Sequence, residues 1–394
     1  MTESIKDRAA IVGIGQTEFS RSSGRSELRL ALEAISAAVE EAGVEMDEID
    51  GLIRYGASQH GVSDAWVAHN LGLGSVRYAG VLDFGGGPAC ALVGHAAMAV
   101  ATGQANYVVA YRTLNGRSQR RPGTSDTYKL LQGQDPNYDN FLVPHGFTAP
   151  SQLYALIGRR HMHEYGTTVE QLGGIAVTAR EYANRNPNAQ MHGRELTLED
   201  YLDEPLISSP LRKFDLCLQT DGAVAIVITT PERARDLKQK PVYVKAATQA
   251  NLHEVQGPLH SFVGRENILD NAGETAAKQL YGSAGMGPKD IDVAQLYDCF
   301  TPTVLLQLEG YGFCEKGESG PFIADGNLRL DGAIPTNTSG GHLSEAYMHG
   351  VNHILEGVRQ MRGQSTSQVP GAETCLVTAG LPVPTSALIL GATN

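Results

Sequence analysis

Apolar residues along this chain switch repeatedly between two spacings. Residues 9–15 form a short apolar run ending in glycine, and residues 27–43 place apolar side chains every three to four positions, which predicts a buried strand followed by an amphipathic helix. Residues 81–84 read as another strand, Gly85-Gly86-Gly87 as a turn with close backbone approach, and residues 89–103 as a helix so poor in large side chains that it must be buried. Residues 107–111 continue as a strand. Such alternation predicts βαβ units around a central sheet. From about Thr113 to Asp215 the pattern changes: Arg, Gln, Asn, Pro and Tyr become common, and helical pieces at 151–164, 168–184 and 197–201 replace the strand signal. This reads as an inserted, largely helical subdomain with a long opening loop of the kind that usually carries function. Strands return at 224–229 and 242–247. Helices at 274–285, 304–309 and 349–361 then alternate with strands at 293–296, 375–378 and 387–390. The expected division is an N-terminal half, 1–240, containing the insertion at 113–215, and a C-terminal half, 241–394.

A repeat sharpens that division. Ala42-Gly43-Val44, then Ile49-Asp50 and Tyr55, recur at a constant offset as Ala284-Gly285-Met286, Ile291-Asp292 and Tyr297. Both copies follow an alanine-rich helical segment and run into a short apolar stretch, so a helix leading into a strand is used twice. The copies end differently, as Arg54-Tyr55-Gly56 and as Tyr297-Asp298-Cys299-Phe300.

Bulk properties narrow the function class. The 394 residues are 42% hydrophobic, ample for a large core, and the 45 glycines are scattered between periodic segments, as close helix-to-sheet packing requires. A formal net charge of -12 argues against nucleic acid as a partner. The five cysteines are widely spaced and never form a CxxC pair, which fits a reducing cytoplasm. No segment has the character of an export signal or a membrane span. Gly13-Ile14-Gly15 has Glu18 where a dinucleotide loop needs its third glycine, and His161 and His163 fall on different faces of a helix, so neither a dinucleotide nor a metal is expected.

Four segments in chain order carry a resemblance: the glycine-rich turn and alanine-rich helix of residues 85–103, Arg159-Arg160-His161-Met162-His163-Glu164-Tyr165-Gly166, Tyr297-Asp298-Cys299-Phe300, and Asn337-Thr338-Ser339-Gly340-Gly341-His342-Leu343-Ser344-Glu345-Ala346-Tyr347. Together they resemble the thiolase superfamily, and within it the sterol-carrier-protein-X thiolases and the lipid-transfer-protein-type steroid aldolases. The resemblance implies an α/β thiolase-like fold, two similar βαβαβ-type halves forming a layered αβαβα core with a mostly helical insertion. The departures from the family pattern are as informative. The position of the thiolase nucleophile falls on Gly86, and that of the second cysteine on or beside Ala379. The histidine that opens the family's HDCF motif is Tyr297, and the one that follows the Gly-Gly motif is Tyr347. Cys90, one helical turn beyond Gly86, reads as a packing residue.

Thiolysis of a β-ketoacyl thioester needs a thiolate to carry the acyl group. A β-hydroxyacyl thioester needs no carrier: once the hydroxyl proton leaves, the Cα–Cβ bond breaks to a carbonyl compound and a thioester enolate. That retro-aldol chemistry needs a base, donors around the thioester oxygen and an acid for the enolate carbon. Tyr297 and Tyr347 are the candidate pair, one for the substrate hydroxyl and the other for the enolate, with Asp298 or His349 as assistants. Gly340, Gly341 and His342 are expected to line the same cavity together with Gly86. Arg117, Arg120 and Arg121 can meet coenzyme A phosphates or form a solvated basic loop. By the resemblance, the function is cleavage of a 17-hydroxy-3-oxo-4-pregnene-20-carboxyl-CoA type substrate to a 17-ketosteroid such as androstenedione and propionyl-CoA, in bacterial cholesterol catabolism. Coenzyme A enters as part of the substrate and no separate cofactor is expected. The implied assembly is a homodimer with an accessory OB-fold domain belonging to a steroid enoyl-CoA hydratase. Two alternatives remain open: a nonenzymatic acyl-CoA or lipid carrier, and a true thiolase with a displaced Cys90 or Cys299.

Overall fold

A computed structural model describes residues 5–56, 62–83, 87–118, 143–252, 266–381 and 385–394. The strands are β1 (Ala10–Gln16), β2 (Gly51–Tyr55), β3 (Tyr78–Leu82), β4 (Val108–Asn115), a small hairpin of β5 (Leu206–Ser208) and β6 (Leu211–Arg212), β7 (Asp221–Thr229), β8 (Val242–Ala250), β9 (Val293–Gln295), β10 (Thr374–Ala379) and β11 (Thr385–Gly391). All but the hairpin join one mixed sheet in the order β3-β2-β4-β7-β1-β8-β11-β10-β9. The N-terminal strands and the C-terminal strands meet where Ala10 and Ile11 of β1 pair with Tyr243 and Val242 of β8.

Helices stack on this sheet in layers. Helix Glu27–Ala42 buries Leu30, Ala31, Ala34, Ile35, Ala38, Val39 and Ala42, a stripe at helical spacing, against β1, β4 and β7. The approach is close because β1 has glycines there: a Cβ on Gly13 would collide with the Ala38 carbonyl, and one on Gly15 with that of Ala34. Helix Gly273–Ala284 packs in the same way on β8 and β11. Helices Pro88–Ala101 and Val351–Arg362 each touch strands of both halves and lie between them. With the strands of the two halves on either side of the central helices and an outer helix on each, the arrangement is the layered αβαβα core that the resemblance implied. The central position explains why Pro88–Ala101 is alanine-rich and almost wholly buried.

The insertion supplies helices Pro150–Tyr165, Val169–Arg185 and Leu198–Asp203 between β4 and β7. It is pinned to the C-terminal half by fully buried His161, which pairs with Thr167 Oγ1 at 2.7 Å and Glu309 Oε1 at 3.0 Å. Glu309 lies on helix Thr301–Gly310, whose side chains hold the candidate site. Helix Asp64–Leu71, the β5–β6 hairpin and the π-helical turn Gly341–Glu345 are elements that the hydrophobic pattern did not predict.

The repeat is real at the level of backbone. Each copy is a helix closed by a left-handed glycine (Gly43, φ 72; Gly285, φ 68), a short 3-10 turn (Met46–Glu48; Pro288–Asp290) and a strand (β2; β9). Left-handed backbone at the helix end is where glycine costs least.

Candidate active site

β9 is only three residues long, because beyond Gln295 the backbone bonds to side chains instead of a neighbouring strand. Leu296 N donates to Asn337 Oδ1 at 2.7 Å, and Asn337 Nδ2 donates back to the Leu296 carbonyl at 3.0 Å. Tyr297 N donates to Thr378 Oγ1 at 2.9 Å and to Gln307 Oε1 at 3.1 Å, while its carbonyl accepts from Gln307 Nε2 at 2.7 Å and Thr303 Oγ1 at 2.8 Å. The backbone of Leu296 and Tyr297 is thus satisfied without a strand partner, and the side chain of Tyr297 leaves the sheet in one fixed direction.

That direction meets Tyr347, whose own backbone N–H is anchored on Thr220 Oγ1 at 2.9 Å. The two phenolic oxygens lie 3.0 Å apart, within hydrogen-bond distance. Burial pushes both hydroxyls well above the ordinary range for tyrosine, and nearby phenols and thiols discourage ionisation further by like-charge repulsion, so both are neutral at physiological pH. The ring of His342 stands edge-on to both, 4.8 Å from Tyr297 and 5.0 Å from Tyr347. Burial and the neighbouring His353 hold His342 neutral, against the pull of Asp298.

Asp298 organises the floor. Its Oδ1 accepts from His342 N at 2.8 Å and pairs with His353 Nε2 at 3.0 Å, and its Oδ2 is 3.4 Å from Leu343 N. Burial acts to raise this carboxyl, but His342, His353 and the backbone donor outweigh it, so its pKa is lowered and the carboxylate is charged. Asp298, His342 and His353 also bring their ligand atoms within 4.8 Å of one another, the one such buried trio among the described residues. The Asp298 oxygens already serve these N–H donors, so the carboxylate is satisfied as a hydrogen-bonded anchor for the turn Gly341–Glu345. Gly340 and Gly341 shape that turn. A Cβ on Gly341 would collide with the Asp298 carboxylate, and one on Gly340 would press on Ala183 of helix Val169–Arg185.

His349 has left-handed backbone at φ 55, uncommon for a residue with a Cβ. Its ring lies 4.6 Å from that of Tyr347 and 5.3 Å from that of Tyr55. Behind it stands fully buried Arg112 of β4. Sequence reasoning missed Arg112, Tyr55, His353 and Gln307. Only Tyr55 had a legible signal, its place opposite Tyr297 in the repeat.

The cysteines offer no thiolate. Burial pushes Cys299 up to about 12 and raises Cys90, Cys217 and Cys375 as well. Cys90 is fully buried with Sγ 3.4 Å from the Val377 carbonyl, the packing role expected of it. Ala379 ends β10 beside the site, since a Cβ on Gly350 would meet Ala89, Tyr297 and Ala379 within 3.5 Å. Gly86, Arg120 and Arg121 lie outside the described residues.

A cavity of about 500 Å³ opens beside the turn Gly341–Glu345, lined by Arg21, Arg117, Arg180, Arg194 and Lys213, with Phe214, Leu216, Cys217 and Leu343 on its apolar side. Leu343 follows His342, so the cavity reaches the turn Gly341–Glu345. Its cations come from five separate segments and, among the described residues, no carboxylate joins them in the lining, in a protein whose net charge is -12. Arg180 is fixed by Ser344 Oγ at 3.0 Å and by the Arg194 carbonyl at 3.2 Å, with its guanidinium 5.7 Å from the Phe214 ring.

Residues 259–391 match the family model of the thiolase C-terminal domain-like family. The chain is 47% identical to 17-hydroxy-3-oxo-4-pregnene-20-carboxyl-CoA lyase of Mycobacterium tuberculosis, over 98% of this chain and 100% of that protein. It is 46% identical to a steroid side-chain-cleaving aldolase of Thermomonospora curvata, over 98% of each. A solved structure of the Ltp2-ChsH2(DUF35) aldolase superposes with a TM-score of 0.92 at 45% identity, covering 99% of both chains. With this likeness along its whole length, and with tyrosines where a thiolase keeps its histidines, the chain belongs to the thiolase-fold family of steroid side-chain-cleaving aldolases, which are carbon-carbon lyases.

Proposed function

We propose that this chain cleaves the side chain of a 17-hydroxy-3-oxo-4-pregnene-20-carboxyl-CoA type thioester by retro-aldol reaction, releasing a 17-ketosteroid such as androstenedione and propionyl-CoA. The observation that carries the reading is the pair of neutral phenols, Tyr297 buried and Tyr347 half-buried, 3.0 Å apart in a site without a thiolate. A phenol whose pKa is raised is a poor standing base. It can still relay: one tyrosine takes the substrate hydroxyl proton as it passes its own to the other, and the second delivers a proton to the enolate carbon. The O–H bond of the substrate breaks, the carbonyl forms, the Cα–Cβ pair moves into the thioester enolate, and the enolate carbon is protonated. The two tyrosines finish as they began, so the cycle needs neither acyl carrier nor redox cofactor, and coenzyme A enters only as the substrate's handle. The cavity bearing Arg21, Arg117, Arg180, Arg194 and Lys213 suits its phosphates, and the apolar side nearer Leu343 suits the pantetheine arm.

The assembly proposed is a homodimer with an accessory OB-fold domain of a steroid enoyl-CoA hydratase. Support for pairing comes from β3, which among the described residues has a neighbour on one edge only and leaves Val81 47% exposed, with Trp66 of helix Asp64–Leu71 also exposed, at 60%. No helix among the described residues is long and apolar enough to cross a membrane.

The test is reconstitution with the OB-fold domain, a steroid β-hydroxyacyl-CoA as substrate, and mass-spectrometric detection of ketone and propionyl-CoA. Arg194→Ala should raise KM about tenfold with kcat nearly unchanged, as loss of one charge-assisted contact implies. An acyl group trapped on any sulfur during turnover would refute the relay, and binding without turnover would favour a carrier.

A further inference from the structure

The relay leaves one physical problem. As the carbon-carbon bond breaks, negative charge moves onto oxygen, and two phenols that resist ionisation cannot hold it. A cation stands close by that the relay does not use. Arg112, in the middle of β4, is fully buried, and its guanidinium lies 4.7 Å over the ring of Tyr55. Its Nη1 donates to the Tyr55 carbonyl at 3.1 Å and its Nη2 is 3.5 Å from Nδ1 of His349, a long contact of the kind that tightens when a site fills. Its Nε has no hydrogen-bond partner.

A guanidinium has donors and no acceptor. The contact therefore requires a lone pair on Nδ1 of His349, and a neutral imidazole with a bare Nδ1 carries its proton on Nε2. The left-handed backbone of His349 and the flanking rings of Tyr55 and Tyr347 hold the imidazole in this place. The other charged or titratable groups that face the guanidinium are Glu27 from helix Glu27–Ala42, Arg54 from β2, and Tyr55 and Tyr347.

We propose that Arg112 is a positioning residue of this site: it fixes His349 as the Nε2–H tautomer and places a permanent positive charge behind it, so that the ring donates to the oxygen that becomes negative as the bond breaks. A preset donor backed by fixed charge in a buried site is the arrangement that stabilises a developing oxyanion without reorganisation. The role rests on the retro-aldol reading for its use and on geometry alone for the tautomer, so the two can fail separately.

The tautomer is read directly in wild-type protein assembled with the OB-fold domain, with ring-¹⁵N histidine and His349→Gln to assign the signals. Nε2 protonated and Nδ1 bare is the expected result, and a proton on Nδ1 overturns the proposal whether or not ketone is formed. In kinetics, Arg112→Met should lower kcat by about 10²-fold, the scale of one oxyanion donor, with KM within about threefold. Arg112→Lys, which keeps the charge and one donor, should recover about tenfold of that loss. In a His349→Gln background the Arg112→Met penalty should shrink to about threefold or less, since the residue it acts through is gone. A full penalty in that background means Arg112 acts on the fold or elsewhere and sinks the proposal. Should Arg112→Met fail to fold, the wild-type tautomer still decides.

Discussion

The two copies of the repeated unit share a backbone and part company at one residue. In the first, Tyr55 remains inside the sheet: β2 pairs in parallel with β3 and with β4, and Gly56 N continues to the Leu82 carbonyl at 2.7 Å. In the second, β9 pairs along its length with β10, has a single bridge from Ala294 to Thr336 on its other side and stops at Gln295, and the backbone of Tyr297 is taken over by Gln307, Thr303 and Thr378. A residue inside a ladder has its orientation set by the pleat. One released from the ladder and held by side chains can point wherever those side chains aim it. The tyrosine to which we assign the chemistry sits in the copy that left the ladder. The other copy supplies a wall, since the Tyr55 ring lies against His349 and under Arg112.

The largest effect that would break this contrast is catalytic. Tyr297→Phe and Tyr347→Phe should each lower kcat by about 10² to 10⁴, the range for losing a positioned proton-transfer group, while Tyr55→Phe should cost less than about tenfold. Single-turnover rates on all three variants settle it, and equal losses would mean that both copies are chemical. A smaller effect tests the tether. Gln307→Leu strips the Tyr297 backbone of a donor and an acceptor and should cost about 2 kcal/mol in urea unfolding, through buried groups left unpaired, with a fall in kcat as Tyr297 loosens.

The alkaline limb of stability should show the copies behaving alike where catalysis differs. Burial raises the pKa of Tyr55, Tyr297 and Tyr347 above that of an exposed phenol. The unfolded chain therefore loses these protons first, at about pH 10, and stability from keeping the phenols neutral is present below that pH and drains away as pH rises above it. Replacing any of the three by Phe should flatten the decline in melting temperature between about pH 9.5 and 11, Tyr55→Phe included. No flattening would mean that the hydroxyls are better solvated than the structure places them. The smallest effect is at the helix ends. Gly43→Ala and Gly285→Ala force an L-residue into left-handed backbone at roughly 1–2 kcal/mol each, with Gly43 the costlier because its new Cβ would lie 3.0 Å from Cβ of Lys238, whereas Gly285 faces only the tip of Lys6 at 3.8 Å. Thermal melts of the two variants compare the copies as scaffold.

Much of the architecture was legible because it is local. The strand at residues 9–15 is β1 shifted by one residue, the helix at 27–43 ends at its glycine, and the alanine-rich helix was placed in the interior by its lack of bulk. Helix Asp64–Leu71 escaped because its apolar stripe is weak, with Val67 alone fully covered. The π-helical turn Gly341–Glu345 escaped because no periodicity announces five residues held by a distant carboxylate. Of the site, Tyr297, Tyr347, Asp298 and His342 were named from motif positions and His349 as an assistant to the tyrosines, and they stand together. Arg117 stands in the cationic cavity, away from the tyrosines. Arg112 was hidden inside an apolar strand, where an arginine reads as an interruption.

What the chain alone determined is the set of elements, their order, the duplication and the exchange of two histidines for two tyrosines, because propensity, burial period and residue identity are written within a few positions of one another. What only the tertiary structure decided is the 3.0 Å between two hydroxyls on distant segments, the neutral state that burial imposes on them, and the meeting of Arg112, Tyr55 and His349 across the junction of the two halves. Those facts depend on how the two halves close over shared central helices, and a contact between distant segments exists only once that packing has formed.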